Sequence, residues 1–262
     1  TSLLETGQAA KVGPYLDQVG ATDIVWTDIL QTSVSSNPAS ALELAVMLVG
    51  KGETLDKSAV ADMFVKASAI QQATGFLITA LQGDSKEEDA ALQTKALEIP
   101  LTNGFPQVAD DIMGKGVFLH FDKSHIAKLC EKHNVPSRAL QLFTEPEDIK
   151  RVIVNTQQLQ PEFLVTFFGT MEAPMQMECM EVLLTNNPKG NMRLVATVAA
   201  KYSDSVGAAG LTEMFKKHKA DEGLFLYLST LVNSTLDPEI HFGYIEAAAK
   251  SNNIPEAERM TR

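Results

Sequence analysis

The chain has 262 residues, with 22 Lys and Arg against 33 Asp and Glu, a formal net charge of −11 and a pI near 4.9. Acidity of that size opposes binding to nucleic acid or to an anionic bilayer, both of which recruit Lys and Arg against phosphate, and no basic stripe stands out along the sequence. An apolar share of 45% is that of a folded protein, and the longest apolar run, Leu44–Val49, is far short of the roughly 20 residues of a membrane helix.

Apolar residues recur at helical spacing almost throughout, and strand signals are nearly absent. The spacing predicts helices at Leu3–Lys11, Pro14–Val19, Asp23–Thr32, Pro38–Val49, Lys57–Ala67 and Ile70–Leu81, followed by a polar loop at Gln82–Glu88. Next come Asp89–Glu98, Pro106–Met113, Lys123–His133, Pro136–Phe143, Pro146–Asn155 and Pro161–Thr170. The remainder reads as Pro174–Thr185, Met192–Tyr202, Leu211–Lys217, Glu222–Val232, Pro238–Ser251 and Pro255–Arg262. Proline recurs at the starts of these segments, where its missing N–H costs nothing and its fixed φ suits the first turn. Asp122, Asn134 and Thr144 stand where a helix start wants a side-chain oxygen. No signal peptide is visible. The chain starts at Thr1 and stops at Arg262 within a helical pattern, so it reads as a piece of something longer.

Helices this short cannot each bury a full face, so they must stack on their neighbours. Three openings echo one another: Ile70-Gln71-Gln72-Ala73, Val135-Pro136-Ser137-Arg138 and Ile254-Pro255-Glu256-Ala257 each follow a helix with polar last residues. Their separations are near two and four times a unit of roughly 30 residues, the size of a helical hairpin. The fold expected is all-α: short antiparallel helical hairpins stacked as a right-handed α-α superhelix, an α-solenoid.

Reactive side chains are densest at His120, Asp122, His125, Cys130 and His133. Imidazole and thiolate suit zinc, but His125 and Cys130 lie five apart and point to different sides of a helix. Cys130 and Cys179 sit in apolar patterns, without the electropositive setting a nucleophilic thiol needs, and two isolated cysteines fit a reducing cytosol. The Asn233-Ser234-Thr235 glycosylation pattern is empty there. The carboxylates Asp110-Asp111, Glu87-Glu88 and Glu145/Glu147 diverge around helices, and Gly207–Gly210 reads as a loop or helix entry rather than a phosphate cradle. The reading is of no catalytic, cofactor or metal residues, and no enzyme. Met171, Met175, Met177, Met180 and Met192 gather in one region, where filling an irregular core is favoured over an adaptable binding surface. Arg138, Lys150 and Arg151 do not recur at the hairpin period, as the rungs of a peptide-binding groove would.

The segment DKSHIAKLCEKHNVPSRALQLFTEPEDIKRVIV resembles the leg of clathrin heavy chains, and the likeness continues through KYSDSV, FKKHKADEGLFLYLSTLVN and DPEIHFGYIEAAAK and, more weakly, back to Trp26. It is faintest at Thr1–Asp23, Gln82–Gly104 and Met171–Met192. The resemblance implies long repeats of several hairpins each: residues 1–25 as preceding helices, 26–171 as one repeat, and 172–262 as a second, truncated one. It also implies an elastic strut in a polyhedral coat for vesicle transport and endocytosis, cytoplasmic and peripheral on coated pits and vesicles. Its partners would be other legs, held by weak multivalent contacts. Light chains and adaptors would bind elsewhere on the full chain, and the segment alone would be monomeric, without nucleic-acid binding or membrane insertion. The alternatives are a vesicle-tethering subunit with the same repeats, or a helical-repeat adaptor for peptides.

Overall fold

In the computed structural model, which describes residues 3, 6–8, 11–18, 25–81 and 86–260, the described residues form helices joined by short turns, with no strand among them. In chain order these are α1 Val12–Gln18, α2 Trp26–Ser36, α3 Pro38–Gly50, α4 Lys57–Lys66, α5 Ile70–Ala80, α6 Ala90–Thr102, α7 Pro106–Gly114, α8 Lys123–Lys132 and α9 Pro136–Leu142. They continue with α10 Pro146–Ile153, α11 Pro161–Phe168, α12 Ala173–Asn186, α13 Pro188–Lys201, α14 Ser203–Val206, α15 Ala208–Lys217, α16 Asp221–Leu231, α17 Pro238–Lys250 and α18 Ile254–Met260. The all-α solenoid class expected from the spacing is what the structure shows. The helix expected at Leu3–Lys11 and residues 82–85 of the polar loop fall largely or wholly outside the described residues; the loop ends in a 3₁₀ turn, Glu87–Asp89.

The chain divides into two compact units, Thr1–Leu142 and Phe143–Arg262. Within the first, α2 packs on α3, α3 on α5, α4 on α5, α5 on α6, and α6 on α7 and α8. Within the second, α12 packs on α13, α13 on α16, α15 on α16, α16 on α17, and α17 on α18. These are one pattern written twice. A shift of 151 residues lays α4 on α15 and α5 on α16, end to end; 150 brings the starts of α3 and α13 together, and 148 lays α6 on α17. The cores repeat with the helices. Phe64 and Phe76, with ring centroids 6.4 Å apart, are matched by Phe215 and Tyr227 at 5.8 Å, and all four are buried. Burying such rings stabilises by about 1.5–3 kcal/mol each, so the same aromatic pair anchors both hairpins. The second core adds a polar detail. Burial pushes the Tyr227 hydroxyl pKa up, and the group finds its partner in Ser203 Oγ at 2.7 Å. Ser203 opens α14, a turn the spacing did not predict.

One closing turn recurs. Ser68, Asn134, Lys219 and Asn252 carry positive φ of 59°, 60°, 52° and 63°. After each, the next N–H returns to the carbonyl five residues back: Ala69 to Phe64, Val135 to Cys130, Ala220 to Phe215 and Asn253 to Ala248, at 2.7 to 2.9 Å. Gly52 and Gly104 close α3 and α6 in the same way. This Schellman closure satisfies carbonyls the helix end would otherwise orphan. The three echoed openings at Ile70, Val135 and Ile254 stand within two residues of such turns; Lys219 supplies a fourth.

Several local expectations change. Asp122 does cap α8, accepting from the His125 N–H at 2.9 Å. Asn134 instead ends α8 in the left-handed conformation, and α10 follows Glu145 with no side-chain cap, leaving Thr144 out of that role. Helix α6 runs through Pro100 to Thr102, because Leu101 is fully buried and Asn103 Nδ2 donates to the Ile99 carbonyl at 2.8 Å. Helix α13 begins at Pro188 rather than Met192: Asn187 Oδ1 accepts from the Gly190 N–H at 3.0 Å, and a Cβ at Gly190 would run into that side chain. Asn37 caps α3 identically, through the Ser40 N–H at 3.2 Å.

Candidate functional surface

The residues singled out for chemistry are held by the fold in separate roles. Cys130 is fully buried on α8, and Cys179 likewise on α12. Burial pushes both thiols up to about 12, with Asp110 adding to the effect at Cys130, so neither supplies thiolate near neutrality. His125 Nε2 lies 3.7 Å from Glu98 Oε2 at a half-exposed site. The His120 N–H donates to Gln93 Oε1 at 2.9 Å. His133 and His218 each precede a left-handed closure, and the Nε2 of each is buried without a hydrogen-bond partner. Among the described residues no three His, Cys, Asp or Glu side chains converge as metal ligands. Gly207, at φ 97°, is the entry to α15. The methionines meet glycines: the Met177 Cε and Met192 Cγ atoms lie 3.3 and 2.8 Å from where Cβ atoms of Gly210 and Gly223 would stand.

One set of polar side chains ties successive hairpins together. Buried Gln93 receives the Leu119 and His120 N–H groups and donates to the Lys86 carbonyl, while Thr94 Oγ1 receives the Asp122 N–H, so α6 holds the whole α7–α8 connection. Arg138 reaches Asp110 across Gly114, where a Cβ would meet its guanidinium. Lys150 joins Glu178, 28 residues on, and also Glu147; these hydrogen bonds raise its pKa. Lys95 joins Ser58 and Asp62, Lys217 joins Glu181, and the Tyr202 hydroxyl donates to the Val165 carbonyl. Apart from the local contacts to Lys86 and Glu147, these ties span 26 to 37 residues, the reach of one hairpin to the next. Arg138, Lys150 and Arg151, whose spacing already spoke against a repeating peptide groove, are all engaged by acids of the fold.

Open grooves remain on the surface. One of about 730 Å³ in the first unit is lined by Asp62, Lys95, Glu98, His120 and Asp122. In the second unit two troughs of about 650 and 460 Å³ flank α13, facing α11 and α16, and share Arg193 and Thr197. Because α13 starts at Pro188, Lys189, Arg193, Thr197 and Lys201 come to one exposed face at i, i+4 spacing. With the helix expected only from Met192, Lys189 falls before it and the basic spacing does not stand out along the sequence.

No helix among the described residues is long and apolar enough to cross a membrane. The sequence profile described as a region in clathrin and VPS matches residues 51–191. Over 260 residues the chain is 42% identical to the clathrin heavy chain of Drosophila melanogaster, covering 98% of this chain and 15% of that one. It is 42% identical over 255 residues to clathrin heavy chain 2 of Oryza sativa subsp. japonica, covering 96% and 15%. With clathrin heavy chain 2 of Homo sapiens it shares 40% over 259 residues, covering 98% and 16%. The chain thus spans about a sixth of the length of the curated relatives it matches. With the profile covering more than half of the chain and the twice-written helical array beneath it, the chain belongs to the clathrin family of helical-repeat regions.

Proposed function

We propose that this chain is a span of a clathrin heavy-chain leg, a structural strut of a vesicle coat rather than an enzyme. The observation that carries this reading is identity of 40–42% to heavy chains of fly, rice and human along almost the whole chain, including exposed positions that packing alone does not fix. The physics suits the role. Each hairpin touches mainly its neighbours, so the array is extensible and its stability is spread along it. Weak lateral contacts repeated along such a leg give assembly by multivalency and allow disassembly.

On this reading one long repeat runs from about residue 26 to 171 and a second from 172. The 148- to 151-residue register between α3–α6 and α13–α17 supports that arrangement. Other legs are the partners within the lattice. Light chains and adaptors engage other parts of the heavy chain, and the work is done in the cytoplasm on coated pits and vesicles. The segment by itself is a monomer that binds neither nucleic acid nor membrane. A tethering subunit with the same repeats is the second reading, since the matched profile also covers VPS proteins; end-to-end identity with heavy chains favours the first.

The test is a graft. The chain replaces its aligned segment in a full-length heavy chain, and cage formation is followed by electron microscopy. Closed cages of ordinary size are expected. A folded chimera that trimerises but forms no cages would overturn the proposal.

A further inference from the structure

We propose that the basic face of α13 and the two troughs beside it form a docking surface for a short, extended, acidic peptide segment of another protein. Half of the second unit's described Lys and Arg residues are already neutralised: Lys150, Arg151, Lys217, Lys250 and Arg259 each hold a carboxylate, while Lys216 and Lys219 stand apart on the last turn of α15 and just beyond it. Lys189, Arg193 and Lys201 do not have one among the described residues, although the chain carries eleven more acids than bases. Lys201 instead lies 5.4 Å from the ring centroid of Tyr202 and lines the trough that faces α11. Cations left unpaired side by side on one helix repel one another, and an acidic ligand relieves that repulsion.

The shape fits a strand of peptide. The floor is small and apolar, with Val165, Ala196, Ala200 and Leu226, and Glu162 is the one carboxylate among the lining residues. The Thr166, Thr197, Ser229 and Thr230 hydroxyls donate to carbonyls of their own helices, which leaves their oxygens to accept N–H groups of a peptide backbone. At 1.5 Å per residue, Lys189 and Arg193 stand about 6 Å apart along the helix, and Arg193 and Lys201 about 12 Å. An extended chain rises about 3.3 Å per residue. Carboxylates at a first, third and seventh position would therefore meet the three cations in turn. Long-range repulsion from the acidic whole is screened beyond about 8 Å at physiological salt, so a short segment feels the local face. A long polyanion or an anionic bilayer extends past the face and meets the rest of the charge. This docking surface is independent of the coat reading.

The probe is a fluorescein-labelled peptide with glutamate at its first, third and seventh positions and valine, serine and threonine between them, titrated with the chain by fluorescence anisotropy. Saturable binding is expected that weakens with added salt and is absent for the same peptide with lysine in place of glutamate. The double variant Arg193→Glu/Lys201→Glu should bind about tenfold more weakly or worse, while Lys123→Glu/Lys128→Glu, an equal charge change at two exposed positions of α8, should bind as the parent does. Both positions in α13 are exposed, and thermal midpoints check that the fold is kept. No saturable binding by the parent chain, equal binding of the lysine peptide, or equal loss in Lys123→Glu/Lys128→Glu would overturn the proposal. So would concentration-dependent self-association that Arg193→Glu/Lys201→Glu abolishes, which would assign the face to a second copy of the chain.

Discussion

At the scale of single residues, the two cysteines give a prediction with a definite sign. Their thiols sit near 12 in the folded chain, against 9.0 for an unburied thiol. An acid whose folded pKa is raised keeps its proton in the native state while the unfolded chain has released it. Stability is therefore untouched below pH 9 and declines as pH rises from 9 toward 12, by up to about 1.4 kcal/mol per pH unit per thiol. Urea midpoints at pH 7.5 and 10 should differ more for the parent chain than for Cys130→Ala/Cys179→Ala, and equal differences would refute the account. Gly223 gives a second case. Alanine ordinarily favours a helix by about 1 kcal/mol over glycine, but a Cβ there would stand 2.8 Å from Met192 Cγ and 2.9 Å from the buried ring of Phe215. Overpacking of a fixed core costs about 1–3 kcal/mol, so Gly223→Ala should lower the thermal midpoint; a rise would show that the α13–α16 contact gives way. Neither effect could be read from sequence in full. That both cysteines belong to the apolar stripe was legible from their neighbours, whereas the contact behind Gly223 joins residues distant in sequence that no local pattern brings together.

The elements divide in the same way. Helices came through because apolar spacing and proline starts are local signals, and six of the expected proline starts stand at first helical positions. The ends were less legible where a residue acts against its usual preference. Asparagine at a left-handed closure is ordinary, so Asn134 is explicable once seen; Lys219 is not, since a Cβ there costs roughly 1 kcal/mol. Its place in the register explains it: Ser68 holds the same turn 151 residues earlier, between helices of the same lengths. Lys219→Gly should accordingly raise stability by about 1 kcal/mol, seen as a higher urea midpoint with an unchanged slope, because Lys219 is exposed and its side chain makes no ion pair among the described residues. No gain would mean that the αL strain is already relieved. The candidate surface was lost to the sequence reading through one helix end. Starting α13 four residues late hid the relation between Lys189 and Arg193, although Asn187-Pro188 repeats the Asn37-Pro38 start of α3.

For the whole molecule, charge decides how copies of the chain treat one another and how they treat a ligand, and salt separates the two. Each copy carries −11, so two copies repel until the Debye length shrinks below their separation. On the proposed coat reading, a leg segment that joins its lattice only through many weak contacts should hold each single contact near the millimolar range, about −4 kcal/mol. In sedimentation at micromolar concentration the chain should therefore run as a monomer at every ionic strength, with any faint self-association growing as salt is added. Peptide docking on α13 pairs opposite charges and must fade under the same addition. Measured on one sample across a salt series, the two slopes should have opposite signs. A tight dimer at low salt would remove the premise that assembly here rests on multiplicity. It would mean that a single face of this acidic chain already overcomes the repulsion between copies, and the strut would then need a separate means of coming apart.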